Sequence, residues 1–310
     1  MDYNIINCPK CGKELPVPAE LKQCICMYCG ENISIEEQRM PEEQNVDSMA
    51  FQTAYRTSLL QASSLIEDYE KLLKNFTGEG YKGAFQAYSE LGEDILSAAD
   101  RYAFGSEESK EQVIKELSEG ILMTAENQIE AHKSVLSGNS KARLLDQHRF
   151  FLAVYLIPML SHLKLTISEA LIDQIMKDWK QKYPSYEFKK ANYEELAAGF
   201  ERKGFCFITS AVCDTLNKPD DCDELMILRE YRDNYLMNTK SGARMINEYY
   251  RIAPVIVAYL NMQTDGEERY DRIWKEDVMP CLNFIENGHN VQCKKHYVRM
   301  VRRLKSELPF

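Results

Sequence analysis

Residues 51–76 read FQTAYRTSLLQASSLIEDYEKLLKNF, and the placing of the apolar side chains in that stretch decides the fold class. Phe51, Tyr55, Leu59, Ala62, Ile66, Tyr69, Leu73 and Phe76 recur at steps of three and four, which sets them on one stripe of an α-helix. Gly78 and Gly80 end it. The texture continues outward. Tyr81 to Phe104, Ser106 to about Leu136 and Lys141 to Lys164 are further helical segments, each bounded by Gly, Ser or Asn. Ser168-Glu169 opens another, carrying Leu171, Ile172, Ile175 and Trp179, and Pro184 stops it. With no repeat at solenoid periods and no low-complexity tract, the expectation is an all-α helical bundle. The apolar run from Phe150 to Leu160 is eleven residues, well short of the ~20 that span a bilayer, so it reads as a buried helix and no membrane association is expected. His132, His148 and His162 have no Cys or carboxylate companions at ligand spacing and read as ordinary surface or core residues.

The N-terminus has a different grammar. Cys8-Pro9-Lys10-Cys11-Gly12 and Cys26-Met27-Tyr28-Cys29-Gly30 are two copies of one knuckle, with fourteen residues between Cys11 and Cys26. Four thiolates so spaced, Cys8, Cys11, Cys26 and Cys29, can close a tetrahedron around one Zn2+, the expected cofactor. A segment of this length lies far below the ~70 residues at which a core alone holds a fold, so metal binding must supply the folding free energy. The Gly after each knuckle permits the turn. Leu15/Val17 and Ile33/Ile35 suit two short strands of a β-hairpin, and Pro16 and Pro18 confine the first to an edge. Cys24 could exchange with Cys26, but only Cys26 gives the knuckle spacing. The polar, acidic run 36–45 reads as a linker. The expected division is a zinc ribbon at 1–37, a linker at 38–45, a helical domain at 46–199 and a second helical domain at 200–310.

Composition narrows the setting. Ten cysteines, four of them committed to metal, point to a reducing compartment, hence to the cytoplasm. A formal charge of −10 opposes non-specific attachment to nucleic acid, whose phosphates supply most of such affinity.

Beyond Gly199 small residues alternate with large ones in Cys206-Phe207-Ile208-Thr209-Ser210-Ala211-Val212-Cys213, and on a helix the two cysteines share a face. Asp221 with Glu224 has the spacing of a capping box for a helix holding Leu225, Leu228, Arg229, Arg232, Asp233, Tyr235 and Leu236. Arg229 and Asp233 stand one turn apart, where they can pair. A last long segment, Ala243 to Met262, carries Tyr249-Tyr250 and is expected to kink or restart at Pro254.

These residues resemble a family. Cys206-Phe207-Ile208, Leu228-Arg229-x-Tyr231-Arg232-Asp233-x-x-Leu236 and Tyr249-Tyr250-x-x-Ala253-Pro254 are similar, in order, to the CFI box of bacterial proteins, whose pattern runs C-F-I-A-T-A, L-R-x-F-R-D and Y-Y-x-x-S-P. In some members the box precedes a membrane-spanning tail and is treated as a sorting signal. No such span follows it here. The chain is more similar to cytosolic Firmicutes-type members that pair the box with a zinc ribbon and continue through Pro280-Cys281-Leu282 and Cys293. The resemblance covers about 205–304 and implies architecture, with no activity attached.

Three functional readings follow. The first is a non-catalytic intracellular zinc-binding interaction or regulatory protein that binds a protein partner through ribbon and box, with Asp233, Tyr249 and Tyr250 as candidate contacts. The second is a thiol-dependent enzyme with Cys206 as nucleophile, activated by Arg229 and Arg232, for which His289 or His296 would have to serve as base. The third is nucleic-acid binding through the ribbon or the basic helix of Lys294, Lys295, Arg299, Arg302, Arg303 and Lys305, although no aromatic side chains interleave those charges. Cys281, His289, Cys293 and His296 also invite a second metal site, Cys293 and His296 being one helical turn apart.

Overall fold

The computed structural model describes residues 3–8, 10, 12–18, 23–34, 49–131, 138–201 and 206–310. Contacts along the backbone divide it into two units, 1–52 and 53–310. The fold is all-α apart from a small N-terminal ribbon.

In the ribbon two hairpins stand where the sequence pattern suggested one. Strand β1 (Tyr3–Asn7) pairs antiparallel with β2 (Glu14–Pro18), and β3 (Gln23–Ile25) pairs antiparallel with β4 (Asn32–Ser34). Leu15, Val17 and Ile33 turn inward. β2 has a partner on one side only, which leaves room for Pro16 and Pro18. Ile35 and the linker 38–45 lie outside the described residues. β1 and β3 were illegible because neither carries a clean alternation: Asn4 and Asn7 flank the pair Ile5-Ile6, and β3 has three residues.

In the second unit, the stripe from Tyr55 to Phe76 is buried or packed against the core as expected, yet it is not one helix. It breaks into α1 (Met49–Gln61), α2 (Ser64–Glu67) and α3 (Tyr69–Lys74). The breaks fall at Ala62-Ser63 and Asp68, and the Ser63 and Asp68 carbonyls take the turn bonds that restart the chain. Short polar residues of this kind compete locally with the helical ladder. The long helices α4 (Tyr81–Ala103) and α5 (Glu107–Ala131) follow. α6 (Gly138–Phe151) leads through one wide π-type turn, Leu152–Leu156, into α7 (Ile157–Leu163), and α8 spans Ser168–Lys182. Pro158 has no N–H for the Val154 carbonyl four residues back, and the Tyr81 hydroxyl donates to that carbonyl instead, at 2.9 Å.

The remaining helices are α9 (Tyr193–Glu201), α10 (Phe207–Thr215), α11 (Asp223–Tyr231), α12 (Lys240–Asn261), α13 (Gly266–Ile273), α14 (Met279–Glu286) and α15 (Asn290–Ser306). Wide turns also link α11 to residue 236 and α13 to α14. α12 runs through Pro254 without the restart that was one of the two expected outcomes. Thr239 caps α12 by accepting from the Gly242 N–H at 3.0 Å.

Residues expected to form two helical domains share one cluster of buried side chains, from Tyr55 to Leu308. Arg143 Nε and Gln147 Nε2 on α6 both donate to the Pro309 carbonyl, each at 2.7 Å. Among the described residues no helix is long and apolar enough to cross a membrane.

Candidate functional site

The two knuckles close on the same backbone bonds. The Cys8 N–H donates to the Lys13 carbonyl at 3.0 Å and the Gly12 N–H to the Cys8 carbonyl at 2.8 Å; Cys26 to Glu31 and Gly30 to Cys26 repeat the pattern at 2.8 and 2.9 Å. Gly12 and Gly30 hold φ of +70° and +73°, a left-handed conformation that a Cβ disfavours, so the glycine after each knuckle is there for its backbone. Lys10 of the first knuckle pairs with Glu31 beside the second at 2.6 Å, and the Lys13 ammonium lies 4.5 Å from the centre of the Tyr28 ring. These contacts bring Cys8, Cys26 and Cys29 together, with all three sulfurs within 4.8 Å of one another.

This donor set fits a metal ion. A tetrahedral ion with metal–sulfur bonds of ~2.3 Å separates its ligands by about 3.8 Å, and the Cys8 and Cys29 sulfurs are 3.5 Å apart. Cys8 and Cys26 are buried and Cys29 is exposed, so the site is shielded on one side. Cys11 lies outside the described residues. Cys24 does not join the cluster: it pairs with Ile33 across the second hairpin. Among the described residues this is the one group of three or more Cys, His or acidic side chains close enough to hold an ion.

The suggested second site is therefore not formed. Cys281 and Cys293 are both fully buried and meet, with the Cys281 sulfur 3.9 Å from the Cys293 carbonyl, but the histidines are elsewhere. His289 is exposed at the start of α15. His296 Nε2 lies 3.0 Å from the Glu276 carbonyl, the one that Pro280 leaves without its helical N–H, and 3.5 Å from Asp277 Oδ1.

Around the box residues the structure forms a fixed polar network. Cys206 immediately precedes α10, where it makes no side-chain capping bond; it lies outside the helix and so does not share a helical face with Cys213. The Tyr249 hydroxyl from α12 supplies the cap, accepting from the Ile208 N–H at 3.1 Å and from the Tyr297 hydroxyl at 3.2 Å. Tyr250 packs edge-on against Phe207 with ring centres 6.0 Å apart. Cys206 is 7% exposed, and burial pushes the pKa of its thiol up. Arg232 and Arg229 pull the other way and are outweighed, and no histidine is among the groups acting on it.

The pairings differ from those the spacing suggested. Arg229 does not reach Asp233: its Nη1 donates to the Asp220 carbonyl at 2.8 Å and its Nη2 to Asp220 Oδ1 at 2.7 Å. Arg232 grips Asp233 with two parallel bonds, 2.6 and 2.8 Å, which hold the Asp233 carboxyl below its usual range. The residue preceding α11 is Cys222, not Asp221, and it makes no side-chain cap bond; Glu224 is drawn to Lys218 at 2.5 Å, so the capping box does not form. Cys222 and Cys213 lie with sulfurs 3.8 Å apart. Sequence reasoning missed Asp220 as the partner of Arg229, and it missed Tyr297. No local signal marks either, since each contact joins different elements.

Compared with protein-family models, curated proteins and solved structures, the chain finds no match in any of the three.

Proposed function

We propose that the chain is a non-catalytic, zinc-binding interaction protein of the cell interior, its ribbon held by Zn2+ on Cys8, Cys11, Cys26 and Cys29 and its CFI-box face built to bind a partner. The observation that carries this reading is the state of Cys206. A nucleophilic cysteine needs a lowered pKa, whereas Cys206 is buried and its thiol raised even though it borders a cavity beside α12, and both candidate activating arginines are engaged by aspartates. Asp233, Tyr249 and Tyr250 then serve to hold the shape of the box. Zinc is preferred over other metals because four thiolates in tight knuckles suit a closed, tetrahedral structural site.

Residue-resolved alkylation of the metal-loaded protein across pH tests the reading. Cys206 is expected to stay unlabelled at neutral pH until the chain unfolds. Rapid labelling of Cys206 in the native protein, with an apparent pKa below the ~8.5 of a free thiol, would overturn it in favour of a thiol enzyme.

A further inference from the structure

Alongside α12 and α15 runs a cavity of about 830 Å3, within the roughly 300–1,000 Å3 of sites that enclose one small molecule. Its walls are predominantly apolar, with Leu73, Phe76, Leu236, Ile252, Val298 and Val301 among them. Lys74, Arg244, Arg251, Arg302 and Lys305 also line it, and among the described residues no carboxylate lies within 4.0 Å of any of these five. Glu248 is the single acidic side chain in the lining. In a chain of net charge −10, five unpaired cations around one apolar cavity concentrate positive charge against the overall balance.

The shape is elongated. The lining follows α12 from Ser241 to Val255, about 21 Å at ~1.5 Å per residue, and α15 from Cys293 to Lys305, about 18 Å. One acyl chain in a bilayer leaflet covers half of the ~30 Å hydrocarbon core, about 15 Å, and lies along such a cavity with room for a head group.

We infer that this cavity binds a single-chain anionic amphiphile, of which a long-chain fatty acid is the simplest, with its tail between α12 and α15 and its acid group at the unpaired rim cations. An apolar slot recovers the tail's burial, and the unpaired cations supply charge-assisted bonds that a neutral chain of the same length cannot use. Cys206, Tyr231, Arg232 and Tyr249 also border the cavity, so the inference rests on the reading of the box as a binding face and names a ligand class for it; it needs neither a reactive Cys206 nor a loaded ribbon.

Calorimetric titration of the full-length, zinc-loaded protein with oleate below its micelle concentration tests the inference, with oleyl alcohol and lysophosphatidic acid as companions. One oleate per chain is expected, with oleyl alcohol roughly tenfold weaker for want of the carboxylate. The double substitution Arg302→Glu/Lys305→Glu, on exposed side chains outside the core, is expected to weaken oleate about fivefold or more and leave the alcohol unchanged. Tighter binding of lysophosphatidic acid than of oleate upholds the class and identifies phospholipid as the source; the reverse order identifies free fatty acid. No saturable oleate binding, equal affinity for oleate and alcohol, or indifference to the charge reversal would overturn it. Zinc content and Cys206 labelling, read on the same samples, keep a failure of this site separate from a failure of the ribbon or of the buried-thiol reading.

Discussion

The Tyr249 hydroxyl accepts the backbone N–H of Ile208 at 3.1 Å, so a side chain forty-one residues away closes the first turn of α10, which its own capping residue leaves open. The adjacency of Cys206-Phe207-Ile208 to Tyr249-Tyr250 in the resemblance thus acquires a physical meaning: one segment begins a helix, and the other supplies the acceptor that this beginning requires.

Tyr249→Phe removes that acceptor and also the one used by Tyr297. A buried donor left without a partner costs about 1–3 kcal/mol, so denaturant unfolding is expected to show a loss of that size. Cys206, next to the loosened turn, is expected to label faster in the native state. Unchanged stability together with unchanged labelling would show that the bond carries no weight.

Tyr81 stands in for the N–H that Pro158 lacks, and this predicts a coupled pair. Tyr81→Phe should cost about 1–3 kcal/mol in the wild-type background and less in Pro158→Ala, where a backbone donor is restored; the double-mutant cycle should return a coupling of at least ~0.5 kcal/mol. Strict additivity would refute the substitution of one donor for the other.

Chelation at neutral pH is expected to release one zinc per chain and unfold the ribbon, since a metal contribution on the order of 10–16 kcal/mol is then withdrawn from a segment with few buried side chains. The helical signal of 53–310 should persist. Cys8→Ser and Cys29→Ser should reproduce the effect, whereas Cys24→Ser, outside the sulfur cluster, should retain the metal.

Twelve of the eighteen tyrosines have hydroxyls pushed above their ordinary range, with burial the first cause in each. A raised folded pKa means that stability is complete below the unfolded value near 10 and falls as pH climbs past it, by up to about 1.4 kcal/mol per pH unit for each such group. The tyrosinate absorbance of these twelve is therefore expected to rise in one cooperative step together with loss of helical circular dichroism. Gradual, independent ionisation with the helices intact would contradict the burial of these rings.

Fold class, the span of the helix Tyr81–Ala103 and the knuckle glycines were legible because each rests on a local pattern: apolar period, cap or breaker, turn residue; the expected helix end near Leu136 lies outside the described residues, and α6 begins at Gly138, ahead of the expected Lys141. The break-up of the stripe at Ser63 and Asp68 was not, since apolar periodicity persists through short turns. Nor were the partners of Arg229 and the pairing of Cys213 with Cys222, because a sequence places residues along a helix and not across the gap between two. Whether Pro254 would restart its helix was open for a related reason: a proline's cost in a helix depends on whether surrounding structure tolerates the freed carbonyl, which tertiary packing decides. The five unpaired cations of the cavity come from α3, α12 and α15, and of these only Arg302 and Lys305 had been noted, as part of a basic helix face.

The grip of Arg143 and Gln147 on the Pro309 carbonyl ties residues more than 160 positions apart in the chain. Such a knot delays: most of the helical unit must be made before it can be drawn tight, so its formation belongs to the final stages of self-assembly, and a chain emerging from synthesis would hold α6 unfinished until nearly its last described residue had arrived.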